Sequence, residues 1–130
     1  MGTLICITID CAKPAPLARF WAAAMDGYDV RPYDEAEVQR LREAGVMDIE
    51  DDPTVAIDAE GLPAIFFQRV PEPKTVKNRV HLDIEAAHRE LEVQRLVSLG
   101  ASVFRELDEG EHRWTIMQDP EGNEFCVSQA

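Results

Sequence analysis

Cysteine, positive charge and long apolar runs are all scarce in this chain of 130 residues. Three cysteines are too few, and odd in number, for a disulfide framework, so we expect a reducing, cytoplasmic location. No apolar run approaches the roughly 20 residues that a membrane span needs. Met1-Gly2-Thr3 leads directly into a strand, which predicts that no signal peptide is present and that the protein has no membrane partner.

Basic residues are outnumbered, with 13 Lys and Arg against 25 Asp and Glu, for a net charge of -12. Nucleic acid is therefore not an expected partner, because phosphate binding needs clustered Lys and Arg. The acidic charge favours solubility or the attraction of cationic small molecules. A composition that is 45% hydrophobic and 29% charged is that of a globular chain, and the length fits one domain over residues 1–130.

The two halves of the chain resemble each other. Each half opens with a strand that carries polar residues, Cys6–Asp10 or His81–Glu85, and continues with a helical stretch, a glycine and further strands. This repeat predicts an α+β fold of two βαβββ modules in one chain, which form a cupped mixed sheet backed by helices. Module 1 covers about residues 1–70, a stiff linker 71–78, and module 2 residues 79–130.

Hydrophobic periodicity and turn residues predict the individual elements. The expected strands are 4–10, 28–33, 54–58, 64–70, 79–84, 102–107, 114–118 and 124–128. One helix opens at Pro14 and ends at Gly27, with an apolar stripe of Leu17, Phe20, Trp21 and Ala24. A helix over 34–45 is an insertion that the second half lacks, and a helix over 85–99 has Leu91 and Leu99 in register.

Four polar strand residues occupy matching places in the two modules, and the repeat predicts that they meet at one point: Cys6, Gln68, His81 and Cys126. His81 is the best catalytic candidate, because imidazole can accept or donate a proton near pH 7. Asp83 lies on the same strand face and can polarise the cleft. The alternative is a histidine that only binds a ligand, with the two cysteines as small fillers of the pocket.

Three stretches of the chain resemble the vicinal oxygen chelate superfamily: Arg79–Asp83, Leu99–Ala101 and Asp119–Cys126. This superfamily contains glyoxalase I, extradiol dioxygenases, fosfomycin-modifying enzymes and bleomycin resistance proteins. The run from Val70 to Asp83 is similar to that of its glyoxalase-like members. The resemblance implies the fold more firmly than the reaction, because this fold hosts many chemistries.

In metal-dependent members, the resemblance implies ligands from the first and last strands of each half, mostly His and Glu. Three of the four matching positions are changed here, to Cys6, Gln68 and Cys126, while His81 is retained. Glu124, on the same strand face as Cys126, is a substitute ligand. Mg²⁺ and Mn²⁺ prefer carboxylates and do not suit this set. We therefore expect no cofactor, with zinc on Cys6, His81 and Cys126 as the alternative.

The expected function is that of a small-molecule-binding glyoxalase-like protein, with lyase or isomerase chemistry in a cleft that lacks the usual metal ligands. Besides the catalytic His81, the expected ligand-binding residues are Cys6, Thr8, Gln68, Asp83, Trp114, Glu124 and Cys126. Lys74 and Lys77 are candidates for an anionic ligand group, or else solvated linker charge. The alternatives are a non-catalytic, drug-sequestering protein and a zinc enzyme. The resemblance also implies a homodimer, whose cleft closes within one chain or across two.

Overall fold

The computed structural model describes residues 1–130, which form two compact units, Met1–Pro73 and Lys74–Ala130. We call them unit 1 and unit 2. Their boundary falls inside the predicted linker 71–78. None of the helices combines the length and the apolar composition that crossing a bilayer requires.

Unit 1 is a four-stranded sheet with two α-helices. Its elements are β1 (Cys6–Cys11), α1 (Pro14–Ala24), β2 (Asp29–Val30), α2 (Glu35–Glu43), a 3₁₀ turn (Ile49–Asp51), β3 (Thr54–Asp58) and β4 (Ala64–Arg69). The strand order is β1-β4-β3-β2, in which β1 and β4 are parallel and the other pairs antiparallel. The helix α2 is the predicted insertion, and the Asp34 carboxylate caps it by accepting a hydrogen bond from the Glu37 N–H.

The core of unit 1 confirms the apolar stripe of α1. All four stripe residues are buried, and so are the sheet residues Val55, Ile57, Ile65 and Phe67. Pro14 begins the helix, where its missing N–H costs no hydrogen bond. The opposite side of the sheet is more polar, with Arg31 stacked 5.1 Å above the Phe66 ring and paired to Asp58 at 2.7 Å.

Unit 2 repeats this topology with shorter connections. Its elements are β5 (Asp83–Ala86), α3 (Arg89–Ser98), β6 (Ser102–Glu109), β7 (His112–Gln118) and β8 (Glu124–Gln129). The strand order β5-β8-β7-β6 matches that of unit 1, and β5 and β8 are again the parallel pair. Both units are thus βαβββ modules, and the predicted α+β fold of two such modules is confirmed.

Unit 2 differs from several expectations. The helix predicted over 85–99 begins only at Arg89, with Glu85 and Ala86 in β5, and β6 and β7 extend past their predicted bounds. The strand predicted over 79–84 begins only at Asp83, so His81 precedes β5. In α3 the fully buried residue is Leu96, whereas Leu91 is 63% and Leu99 38% exposed. The helix therefore buries a different face from the one that Leu91 and Leu99 define.

Thr115 in β7 carries a buried hydroxyl that has no hydrogen-bond partner. Replacing it by valine should raise the free energy of unfolding by about 1 kcal/mol, because an unpaired buried hydroxyl costs roughly that much. Urea denaturation measures the change. Thr115→Ser is the control: it keeps the hydroxyl and removes a methyl group, so it should destabilise. A Thr115→Val protein less stable than the parent would contradict the prediction.

Candidate functional site

A cavity of about 510 Å³ lies within unit 2, over the face of the sheet that carries Cys126. Its apolar wall comes from Val76, Phe104 and Ile116, and the fully buried Phe125 also adjoins it. Its polar lining comes from Lys74, Thr75, Lys77, His81, Gln118, Glu121, Glu124 and Cys126. The strand register explains this face, since Ile116 pairs with Cys126 and Gln118 with Glu124 across β7 and β8.

One wall of the cavity is irregular backbone, Lys74–Asn78, which we call the strap. Glu124 holds it to β8: its carboxylate accepts a hydrogen bond from the Asn78 N–H at 3.1 Å and pairs with the Lys74 ammonium at 3.2 Å. The Lys74 ammonium also donates to the Val76 carbonyl. Burial opposes ionisation of Glu124, but the hydrogen bonds and Lys74 outweigh it and lower the pKa of Glu124. The Glu124 carboxylate is therefore ionised and bound to the strap through Asn78 and Lys74.

His81, Asp83 and Cys126 form a cluster at the cavity. Their side-chain nitrogen, oxygen and sulfur atoms all lie within 4.8 Å of one another. Asp83 and Cys126 are direct register partners on β5 and β8, and His81 stands two residues before Asp83. Alternation along an extended chain places His81 and Asp83 on one side. The His81 Nε2 is 3.5 Å from the Asp83 Oδ1.

The Cys126 thiol is held in its neutral form. Burial, and then the charge of Asp83 and its hydrogen bond with the thiol, raise the pKa of Cys126 to about 11. The positive charge of Lys77 acts in the opposite direction but does not prevent the rise. Because the thiolate is the nucleophilic form, Cys126 is not poised for nucleophilic attack at neutral pH.

Alkylation should report this pKa directly. At pH 8 we expect iodoacetamide to label Cys126 on the order of 100-fold more slowly than in the urea-unfolded chain, because far less thiolate is present. Asp83→Asn should speed labelling, since it removes the negative charge that disfavours the thiolate. Peptide mass spectrometry over pH 7 to 11 measures both rates. Equal labelling of folded and unfolded chain would contradict the raised pKa.

In unit 1, the register separates two of the predicted site residues. Cys6 pairs with Ala64, and Gln68 pairs with Asp10, so the two are offset by four residues, about 13 Å along the strands. The predicted meeting of Cys6 and Gln68 with His81 and Cys126 joins residues of both units and stays a prediction. Gln68 is exposed at the end of β4.

The register also shows which residue of β4 corresponds to Cys126. Lys13 and His88 are the N-caps of α1 and α3, and Thr8 and Asp83 each lie five residues before them. Asp83 pairs with Cys126, whereas Thr8 pairs with Phe66. By this measure the counterpart of Cys126 is Phe66 rather than Gln68, and a phenylalanine offers no ligand atom.

The cavity contains some of the predicted ligand-binding residues and omits others. Cys126 and Glu124 line it, whereas Asp83 does not line it but lies next to His81 and Cys126, which do. Trp114 pairs with Ser128 and does not line it, because it lies further along β7. Thr8 lies in β1 of unit 1. Ile116 and Gln118 also line the cavity and were not predicted, although their alternation on a strand next to Cys126 was a usable signal.

A second, smaller cavity of about 230 Å³ lies in unit 1 beside α2, and Phe66, Arg31 and Tyr33 line it. The Tyr33 hydroxyl donates a 2.6 Å hydrogen bond to the buried Asp52 carboxylate. Burial and this contact raise the pKa of Tyr33. The Tyr33 hydroxyl and the Asp52 carboxylate are therefore paired with each other, and so are Arg31 and Asp58.

The cluster in unit 2 also decides which metal the side chains suit. One imidazole nitrogen, one carboxylate oxygen and one thiol sulfur form a mixed set that fits zinc. A single carboxylate is a poor set for Mg²⁺ or Mn²⁺. The candidate zinc ligands within unit 2 are His81, Asp83 and Cys126, so Asp83 stands where the sequence suggested Cys6.

A model of the family described as "Glyoxalase-like domain" matches residues 6–128 of this chain. The chain belongs to the glyoxalase-like family. This places it in the vicinal oxygen chelate superfamily, as its motifs indicated. No curated protein matches it.

Solved structures share the fold of this glyoxalase-like protein at low sequence identity. A glyoxalase/bleomycin resistance protein/dioxygenase family enzyme from Burkholderia phytofirmans PsJN is 17% identical, with 98% of each chain covered and a TM-score of 0.64. A glyoxalase-related enzyme from Fulvimarina pelagi is 12% identical, with 100% of this chain and 89% of that chain covered and a TM-score of 0.65. A fosfomycin resistance protein from Listeria monocytogenes, crystallised with Mn(II) and a dihydroxypropylphosphonic acid, is 10% identical, with coverage of 98% and 88% and a TM-score of 0.63. At these identities the likeness establishes the fold alone.

Proposed function

We propose that this glyoxalase-like protein binds a small organic molecule in the cavity of unit 2 and transfers a proton on it through His81. The observation that carries the proposal is that His81 lines a cavity of about 510 Å³ while its ring nitrogen lies 3.5 Å from a carboxylate, that of Asp83. An imidazole beside a carboxylate is a recurring general acid and base. The reaction class that this supports is that of a lyase or isomerase.

The roles of the three clustered side chains follow from their contacts. The Asp83 carboxylate faces the Nε2 of His81, which leaves Nδ1 to take a proton from a bound molecule. In an isomerisation the same nitrogen returns that proton to a neighbouring atom, so no other reactant is consumed. Cys126, held neutral, is a hydrogen-bond donor and not a nucleophile.

The test separates binding from chemistry. A library of small polar and apolar molecules is screened by thermal shift, and each ligand that stabilises the protein is then incubated with it and followed by mass spectrometry. Conversion by the parent but not by His81→Asn supports proton transfer. Tight binding without conversion supports the sequestering alternative instead, for which cationic glycopeptide drugs belong in the screen because the chain carries a net charge of -12.

A zinc enzyme is the second candidate, and the observation that favours it is the convergence of His81, Asp83 and Cys126 within 4.8 Å. Bound zinc would supply a Lewis acid there. Elemental mass spectrometry on untagged protein purified without chelator tests it. The expected result is about one zinc per chain, lost in Cys126→Ser and Asp83→Asn.

The control for the zinc experiment is Cys6→Ser. Retention of zinc in Cys6→Ser supports the set of unit 2, and loss in that variant supports the set of Cys6, His81 and Cys126 that the sequence suggested. No metal after incubation with zinc, manganese and iron would remove this candidate and leave the pocket without a metal.

We also propose that the protein is a homodimer, because of its resemblance to the family. The small number of cysteines favours a location in the cytoplasm. Light scattering coupled to gel filtration measures the assembly. A single species at the mass of one chain, 14.6 kDa, would contradict the dimer.

A further inference from the structure

The cavity of unit 2 has an apolar wall that is open to solvent. Val76 on the strap is 73% exposed and Phe104 on β6 is 59% exposed, and both line the cavity. Ile116 continues this wall from the sheet, whereas the side chain of Phe125 is fully buried. Exposed apolar side chains gathered around one cavity favour a ligand with an apolar body, because its binding removes their surface from water.

Two pairs of opposite charge at the cavity are already matched within the protein. Lys74 is paired with Glu124 at 3.2 Å, and any charge on His81 faces the Asp83 carboxylate at 3.5 Å. The thiol of Cys126 is neutral at physiological pH. None of these groups leaves a charge without a partner.

Lys77 is different, because its ammonium has no hydrogen bond and no ion pair within the protein. It lines the cavity from the strap, and its charge acts on Cys126 at the cavity wall. Glu121 is the other acidic residue of the lining, and it has interactions of its own within the protein. In a chain of net charge -12, the unmatched cation of this cavity is therefore a specific feature.

We propose that the cavity takes an organic anion, a molecule with an apolar body and one carboxylate or phosphate-type group that lies at Lys77. This inference rests on the proposed binding function of the cavity and names the class of its ligand. An ammonium can pair with either kind of anion, since it acts as a point charge with three donors. The apolar body would lie against Val76, Phe104 and Ile116.

The experiment uses ligands that differ only in charge. Dissociation constants are measured by calorimetry at low salt for 3-phenylpropanoate, its neutral amide and 3-phenylpropylammonium, and for the same three forms with a cyclohexyl and a hexyl body. We expect each carboxylate to bind about 10-fold or more tightly than its amide, which is the size of one charge-assisted hydrogen bond. The preference should shrink as salt is added.

Variants of Lys77 then assign the charge. Lys77→Gln should abolish the preference for carboxylate over amide, and Lys77→Glu should favour the ammonium form. Lys13→Gln is the matched control, because it makes the same charge change at a residue of unit 1 that does not line the cavity, so it should leave the preference intact. Lys77 is exposed, so both variants should fold, as circular dichroism would show.

Failure of this inference differs from failure of the proposed function. Equal or tighter binding of the amides or ammonium forms overturns the anion class but keeps the cavity as a binding site. A carboxylate preference that survives in Lys77→Gln overturns the role of Lys77. If none of the nine probes binds, the anion class is overturned, while a neutral or cationic ligand found by the wider screen would still support the binding function.

Discussion

Replacing His81 by glutamine should slow the proposed proton transfer on a molecule bound in the cavity by on the order of 10² to 10⁴-fold, the range that general acid–base catalysis contributes. Glutamine retains polarity but cannot exchange a proton. The fold should survive, because the His81 side chain is 45% exposed and packs in no core. Steady-state kinetics on a substrate found by the screen measures the loss, which should fall on kcat more than on KM.

The controls for His81 are the other two histidines of the chain. His88 precedes α3 and His112 begins β7, and both are exposed and outside the cavity. His88→Gln and His112→Gln should therefore leave the rate within about twofold of the parent, as surface changes usually do. A His81→Gln enzyme that keeps most of its kcat would show that His81 positions the ligand and does not transfer the proton.

Replacing Asp119 by alanine should lower the free energy of unfolding by about 3 kcal/mol, because buried donors lose a charged acceptor. The Asp119 carboxylate is 3% exposed. It accepts hydrogen bonds from the backbone N–H groups of Glu121 and Asn123, at 2.9 and 3.0 Å, and from the Asn123 amide at 2.9 Å. This network shapes the turn that leads into β8. Urea denaturation followed by Trp fluorescence measures the loss.

Two variants bracket the Asp119 result. Asp119→Asn keeps one acceptor oxygen, so it should lower the free energy of unfolding by less than Asp119→Ala does. Asp108→Ala removes an exposed acid of β6, whose contact with Arg113 is a surface pair at 3.5 Å, and should change stability by less than about 1 kcal/mol. An Asp119→Ala protein as stable as Asp108→Ala would mean that the turn does not depend on the carboxylate.

Patterns within single elements were sufficient to predict most of the fold. Turn residues on both sides bounded β3 correctly at 54–58, and the stripe of α1 was buried as expected. The predicted start of β5 at residue 79 was wrong, since the strand begins at Asp83. Glu124 binds the N–H of Asn78, and regular pairing with β8 begins only at Asp83. The alternation of apolar and polar residues cannot show at which residue regular pairing with a distant strand begins.

The part of the candidate site that lies on β5 and β8 could be predicted from the sequence. The part that depends on the pairing of β1 with β4 could not, because an insertion separates those strands. His81 and Asp83 are two residues apart, and Cys126 follows a recognisable turn, so their convergence could be expected. The segment between β1 and β4 contains α2 and a 3₁₀ turn. Counting residues through that segment does not fix the register of β4 against β1. The sequence therefore predicts Gln68 as the counterpart of Cys126, whereas the register gives Phe66.

The position of the last strand of each unit has a consequence for how the chain folds. In both sheets the strand that comes last in sequence, β4 or β8, is an interior strand, and it is the only partner of β1 or β5. Until β8 has formed, β5 has no partner strand. The pair of Asp83 and Cys126 joins residues that are 43 positions apart in the sequence. Such non-local pairing is slow to form. The cluster of His81, Asp83 and Cys126 should therefore be among the last features to assemble during refolding, and deleting residues 124–129 should abolish it while β6 and β7 can still pair.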